Sequence, residues 1–253
     1  MKKNLVFIGA GNVATHLAKA LYKNCFSILQ VFSRTELSAK TLADEVSANY
    51  TTDYNTIIEN ADIYFYCLTD DVLTELITQK ALPNGIHIHT AGSVKMDVFE
   101  MNRTNYGVLY PLQTFSKNKE IDFSKVPLFI EANNEFSEQV IKDLAMSLSQ
   151  KVYTVSSDNR QKIHLSAVFA CNFTNHLFSI AQELLGEVPF DVLLPLIEET
   201  VEKVKTISPR KAQTGPAIRK DNAVINKHLE SLSFNSDWQD IYKKLTRDIQ
   251  KES

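Results

Sequence analysis

The sequence predicts an α/β fold, a doubly wound and mostly parallel sheet followed by an all-α C-terminal domain, and three observations carry that prediction. A short apolar run, Leu5 to Ile8, meets Gly9-Ala10-Gly11 and passes at once into a helix-periodic segment from Asn12. Strand-like and helix-like stretches then alternate up to about residue 153, the pattern of parallel strands joined by crossover helices. From Ser156 the strand period is lost and only helical spacing remains.

The first element fixes a chemistry as well as a shape. Gly9 takes the sharp turn off the strand, Gly11 has no side chain to block a pyrophosphate, and Ala14 lets the helix lie close on the strand. Free N–H groups at Asn12 and Val13 then face an anion. A Gly-x-Gly-x-x-Ala pattern is weak alone, but here it sits between strand and helix. It predicts a Rossmann-type dinucleotide site built on Gly9, Gly11, Asn12 and Val13.

The second strand, Ile28 to Phe32, ends in Ser33-Arg34-Thr35, where such a sheet meets the adenosine ribose. A carboxylate there accepts from the 2′-hydroxyl of NAD, whereas Arg with small hydroxyls suits a 2′-phosphate by charge and by number of donors. Ser33, Arg34 and Thr35 therefore favour NADP over NAD. The bland alternative is that Arg34 is a solvated loop cation.

Helices are expected over Glu36 to Val46 and over residues 55–60, then a strongly apolar strand from Asp62 to Leu68. Thr69-Asp70-Asp71 follows, and two carboxylates directly before a helix read as caps rather than as acid–base groups. Because ligands sit at strand C-termini, Leu68, Thr69 and Asp70 are placed beside the cofactor. Pro83-Asn84-Gly85 reads as a turn and Ile86 to His89 as a strand. After it, Gly92 permits close approach on the nicotinamide side and Ser93 offers a hydroxyl. A helix over residues 94–101 and strands at Tyr106 to Tyr110, Val126 to Ala132 and Val152 to Val155 complete the sheet, with a helix from Glu135 to Ser149.

Beyond the sheet, helices are expected at about 158–186, 189–207, 220–231 and 235–250. The domains are thus 1–154, dinucleotide-binding, and 155–253, a helical substrate and dimerisation domain. Ile163 to Gln182 holds no Asp, Glu, Lys or Arg. Its His, Asn, Ser and Thr side chains are expensive in lipid, so it reads as a core or dimer-forming helix rather than a membrane span. Self-association through the helical domain is the economical way to bury such faces, and a homodimer is expected.

With 27 basic and 30 acidic side chains the formal charge is −3, and no basic run tracks a phosphate backbone, so nucleic acid is not an expected partner. Three scattered cysteines argue against a disulfide framework or a metal site, and Cys67 and Cys171 read as core thiols in a reducing compartment. Met1-Lys2-Lys3 opens like a signal peptide, but the apolar run behind it is far too short, and a cytoplasmic protein is expected.

The motifs Phe7-Ile-Gly-Ala-Gly-Asn-Val-Ala14, Phe32-Ser-Arg-Thr35, His89-Thr-Ala-Gly-Ser93, Tyr110-Pro-Leu-Gln-Thr-Phe-Ser116, Asn172-Phe173 and Thr214-Gly-Pro216 with Arg219 and Asp221 together resemble an uncharacterised bacterial family. Its members join an NADP-binding Rossmann domain to a helical domain of unknown function. More distantly the layout is similar to pyrroline-5-carboxylate reductase, deazaflavin-dependent NADP reductase and the β-hydroxyacid dehydrogenases. Those relatives imply a helical domain that dimerises and closes over the nicotinamide. The Lys and Asn pair of the last group is absent, because Lys162 is followed at that spacing by Ser166.

Hydride transfer to a carbonyl or imine also needs a proton donor. On an α-helix His164 and Asn175 come within roughly 20° of one another, with Cys171 on the same face and Asn172 about 80° round. His164, Asn172 and Asn175 are therefore the candidate catalytic and orienting groups, against a reading in which they only bond between helices. Arg219 either grips a substrate carboxylate or pairs with Asp221, and Gln113 and Thr114 are candidate substrate contacts. Two functions of different class result. One is an oxidoreductase acting on a small carbonyl, imine or hydroxy compound between the domains; the other is an NADP(H)-binding sensor without turnover. A pocket lined by His164, Asn172 or Asn175 favours the first.

Overall fold

In the computed structural model, which describes residues 3–79 and 84–251, β1 (Asn4–Ile8) lies inside an eight-stranded sheet. The other strands are β2 (Ser27–Phe32), β3 (Asn49–Thr51), β4 (Ile63–Tyr66), β5 (Ile86–His89), β6 (Asn105–Pro111), β7 (Leu128–Ala132) and β8 (Val152–Thr154). Their order is β3-β2-β1-β4-β5-β6-β7-β8, and every pair is parallel except β6 with β7. The chain runs outward from β1 to β3 and then returns to β4 on the other side of β1. That reversal opens a crevice at the C-terminal ends of β1 and β4. Met1, Lys2 and Pro83 lie outside the described residues.

Alternation along β1 builds two cores, one on each face of the sheet. Leu5 and Phe7 join α1 (Asn12–Lys23) through Ala14, Leu17 and Leu21, and the same cluster takes Val140, Ile141 and Leu144 from α4 (Glu135–Leu148). Val6 and Ile8 face the other way, toward Leu73 and Ile77 of α3 (Asp70–Gln79). Each such fully buried side chain contributes about 1.5–3 kcal/mol relative to exposure. The sequence alone placed these faces, because a period of two in strands leaves little choice. Between β2 and β3 runs α2 (Glu36–Glu45).

Two expected helices are only 3₁₀ turns. Around residues 55–60 the structure forms Tyr54–Thr56, since Asp53 accepts from Asn55 N–H and the Thr51 and Thr56 hydroxyls bond the same short loop. Such local side-chain bonds compete with a helix. Over 94–101 the turn is Met96–Phe99, because the Val94 carbonyl and Met96 N–H are taken by Arg160 and Ser157. Asp70 and Asp71 occupy the first turn of α3, where negative charge suits the helix dipole.

The chain divides into two compact units, Met1–Asn172 and Phe173–Ser253. The first unit runs past the junction expected at 154/155, since α5 (Ser157–Ala167) is tied to the sheet by Arg160, Ser157 and Gln161. A π turn, Val168–Phe173, follows α5. The second unit holds α6 (Thr174–Leu185), α7 (Leu194–Thr206), the short α8 (Pro209–Ala212), α9 (Asn222–Ser231) and α10 (Ser236–Lys251). Among its described residues, only Ala217, Ile225 and Leu232 are buried apolar side chains, while Leu184, Val192, Leu196 and Phe234 are more than half exposed. Cys171, expected in a core, is exposed on the π turn, as are its neighbours Phe169 and Phe173. No helix among the described residues is long and apolar enough to cross a membrane.

Candidate functional site

A cavity of about 1040 Å³ opens at the crevice, and every residue lining it belongs to the first unit. Its lining includes Gly11, Asn12 and Val13 at the start of α1, Leu68, Thr69 and Gly92 after β4 and β5, Gln113 and Thr114 after β6, and His164 and Asn172 from α5 and the π turn. The predicted dinucleotide loop and the predicted proton donor thus share one space. The lining is mostly apolar with a few convergent polar groups, the usual character of a small-molecule site.

The glycines divide by role. A Cβ at Gly9, whose φ is +113°, would sit 2.2 Å from the Cys67 carbonyl oxygen, so this turn is closed to any other residue. At Gly11 a Cβ would meet nothing within 4 Å and would project into open space over the start of α1. No side chain caps that helix. Uncapped amides beside an open approach fit a pyrophosphate. The Asn12 carboxamide instead donates to the Phe115 carbonyl at 2.8 Å, tying the loop to the segment after β6.

At the end of β2, Arg34 and Thr35 are exposed and Ser33 is half-buried. Thr35 stands at the N-cap of α2 but makes no side-chain cap bond. The nearby carboxylate of Glu36 accepts from the Tyr50 hydroxyl at 3.1 Å. Ser93 donates to the Asp70 carboxylate, which joins the loops after β4 and β5.

His164 is held at its Nδ1 edge. Tyr110 Oη lies 2.9 Å from Nδ1, and a Cβ on Gly92 would come within 2.6 Å of the same side of the ring. Behind the pair, Arg160 is fully buried. Its guanidinium binds the Glu131 carboxylate, the Val94 carbonyl at 2.5 Å and Ser157 Oγ at 3.2 Å. Glu131 also accepts from Ser157 N–H and Oγ at 2.8 and 2.7 Å, and Gln161 donates to the Ser93 carbonyl at 2.6 Å. Burial pushes the Tyr110 phenol up, partly opposed by the Arg160 charge. Burial first, and Arg160 second, hold the His89 imidazole down at about 3, so it is neutral and its Nδ1 accepts from Ala91 N–H. Burial likewise pushes the Cys67 thiol up to about 12, which makes it a poor nucleophile at neutral pH.

The π turn changes which asparagine accompanies His164. Each residue in an i to i+5 turn advances by roughly 80–85° rather than about 100°, so five such steps remove nearly all of the 80° offset of Asn172. Asn172 therefore comes into line with His164, and both line the cavity. Asn175 lies in α6 and the exposed Arg219 precedes α9, both in the second unit. Asp221, offered as a partner for Arg219, accepts from Val224 N–H as the N-cap of α9. Among the described residues no group of three His, Cys, Asp or Glu side chains is placed to hold a metal ion.

Comparison with solved structures identifies the family. A putative NADP oxidoreductase from Bacteroides fragilis is 47% identical with a TM-score of 0.94, covering 99% of this chain and 98% of its own. The chain belongs to this NADP oxidoreductase family. Residues 4–91 match the family described as NADP oxidoreductase, coenzyme F420-dependent, and residues 126–249 match a domain of unknown function, DUF2520. In fold, this oxidoreductase family member is also similar to 1-pyrroline-5-carboxylate reductase from Streptococcus pyogenes, at 12% identity, TM-score 0.64 and 99% coverage of each chain. A reductive aminase from Aspergillus terreus, solved with NADPH and ethyl-5-oxohexanoate, has 13% identity and a TM-score of 0.72, covering 100% of this chain and 95% of its own. No curated protein matches the chain.

Sequence reasoning missed two residues of the cavity wall and its support. Tyr110 ends a strand just before Pro111, a position where side chains face ligands, and that signal was available. Arg160 gave none, since a lone Arg in the first turns of a helix reads as solvated until Glu131 is seen to meet it.

Proposed function

We propose that the protein is an NADP-dependent oxidoreductase that moves a hydride between the nicotinamide and a small carbonyl, imine or hydroxy compound held in the cavity. The supporting observation is that one cavity runs from the open helix start at Gly11 to the Tyr110–His164 pair. NADP(H) supplies or accepts the hydride there. Gly9, Gly11 and the Asn12 and Val13 amides cradle the pyrophosphate, while Leu68, Thr69, Asp70, Gly92 and Ser93 border the nicotinamide half. His164 handles the proton, and Asn172, Gln113 and Thr114 orient the substrate. Asn175 and Arg219 take no part in this reading. The test is NADPH consumption across a panel of small aldehydes, ketones and imines. Turnover of one class supports the proposal; tight NADPH binding without consumption of any member favours a sensor.

NADP(H) is expected to bind at least tenfold more tightly than NAD(H), because Ser33, Arg34 and Thr35 suit a 2′-phosphate. Tenfold corresponds to about 1.4 kcal/mol, within the reach of one charge-assisted contact. Fluorescence titration of both cofactors with the wild type and Arg34→Ala measures this. Equal affinities, or a preference untouched by the substitution, would remove the assignment.

The second unit supports a homodimer through the helical domain. With so few buried apolar side chains and with Leu184, Val192, Leu196 and Phe234 exposed, it has more apolar surface to cover than an isolated domain tolerates. Sedimentation at micromolar concentration is expected to give a dimer, and a strict monomer there would end the idea.

A further inference from the structure

We propose that Tyr110 and His164 form a two-step proton relay for the reduction, with Arg160 as the buried cation that positions it. The inference rests on the oxidoreductase reading and names the source of the proton. Arg160 and His164 stand four residues apart on α5, so they share a face of the helix. Tyr110 comes from the C-terminal end of β6, which pairs with β7, the strand that carries Glu131. The Arg160–Glu131 pair therefore fixes α5 against the strands that hold the phenol.

Tyr110 Oη and His164 Nδ1 are in hydrogen-bond contact, and either ring can be the donor according to the imidazole tautomer. The relay requires the phenol, which burial keeps protonated, to donate, so that His164 Nδ1 accepts and Nε2 carries the imidazole proton. Among the described residues no side chain or backbone group bonds Nε2, which leaves it for a ligand in the cavity that His164 lines. When a hydride reaches the carbon of a C=O or C=N bond, the π pair moves to the heteroatom and takes the Nε2 proton. Nδ1 takes the phenol proton in the same event, so the imidazole ends neutral. The phenolate left on Tyr110 is favoured by the positive charge of Arg160, which already lowers the phenol against the effect of burial, and water returns its proton. Tyr110 acts through His164 and is a positioning and relay residue; His164 is the group that meets the substrate.

Nitrogen-15 NMR of the imidazoles decides the resting state without any substrate, with His164→Gln assigning the signal. The wild type is expected to show the Nε2–H tautomer above pH 7.5, and Tyr110→Phe is expected to lose that bias while melting at nearly the same temperature. An Nδ1–H tautomer in the wild type overturns the relay even if the enzyme turns over. On a substrate from the NADPH panel, Tyr110→Phe should lose roughly 10–10²-fold in kcat with NADPH affinity within a few fold. Its rate should also fall off on the alkaline side before that of the wild type does. Coincident pH profiles overturn the proposal. Arg160→Lys, which keeps the charge, should retain more turnover than Arg160→Met at equal folded fraction, and equal losses remove Arg160 from it. If no panel member is consumed, the tautomer result still stands or falls alone, and only the oxidoreductase reading fails.

Discussion

Replacing His164 by alanine is expected to lower turnover by roughly 10²–10⁴-fold while leaving NADPH affinity within a few fold. The size follows from what is removed. Among the described residues the imidazole is the one ionisable ring lining the cavity with a nitrogen that makes no protein hydrogen bond, and it is held by Tyr110 and by contact with Gly92. In the proposed mechanism the change deletes the proton donor, while the Gly9-Ala10-Gly11 loop keeps all of its own residues. A bulk structural role predicts a different outcome, with a lower melting temperature and turnover scaling with the folded fraction. Measuring kcat, NADPH affinity and melting temperature together separates the two, and an alanine variant that retains near wild-type kcat would show that His164 only packs against the sheet.

Much of this arrangement was legible in the sequence because it rests on local rules. Period-two alternation in β1 and the Gly9-Ala10-Gly11 break fix a strand, a turn and a helix within a few residues, and the strand ends follow in order. Ser33-Arg34-Thr35 follows the end of β2 for the same reason. Part of what failed depended on partners distant in sequence. Residues 94–101 form only a 3₁₀ turn because Arg160 and Ser157, some sixty residues on, take the backbone groups a helix needs. The π turn at Val168–Phe173 has no mark in a single sequence, since i to i+4 and i to i+5 closure use the same residue types. Extrapolating 100° per residue through it left Asn172 about 80° from His164, whereas both residues line the cavity.

Gly9→Ala and Gly11→Ala are expected to fail in opposite ways, although both alter one glycine of the same motif. At Gly9 the backbone has φ +113°, where a Cβ is strained whatever space it finds, and the atom it would strike at 2.2 Å is a backbone oxygen. Relief by shifting is blocked on both sides, since Gly9 N–H donates to the Phe32 carbonyl at 2.8 Å and Cys67 N–H donates to the Ile8 carbonyl at 2.9 Å. Moving one of these strands breaks its ladder. The loss should reach about 3 kcal/mol or more, a large part of the 5–15 kcal/mol that holds a typical domain together. For a chain of this size that lowers the melting temperature by roughly 6–12 °C or prevents accumulation of folded protein. At Gly11, with ordinary φ of −78° and open space around the added methyl, the apo protein should melt within a degree or two of wild type. There the methyl instead occupies the approach to the helix start, and NADPH affinity should fall at least tenfold. Melting curves without cofactor and titrations with it test both arms. Equal melting temperatures for the two variants would refute the strain at Gly9, and an unchanged NADPH affinity in Gly11→Ala would move the pyrophosphate away from this loop.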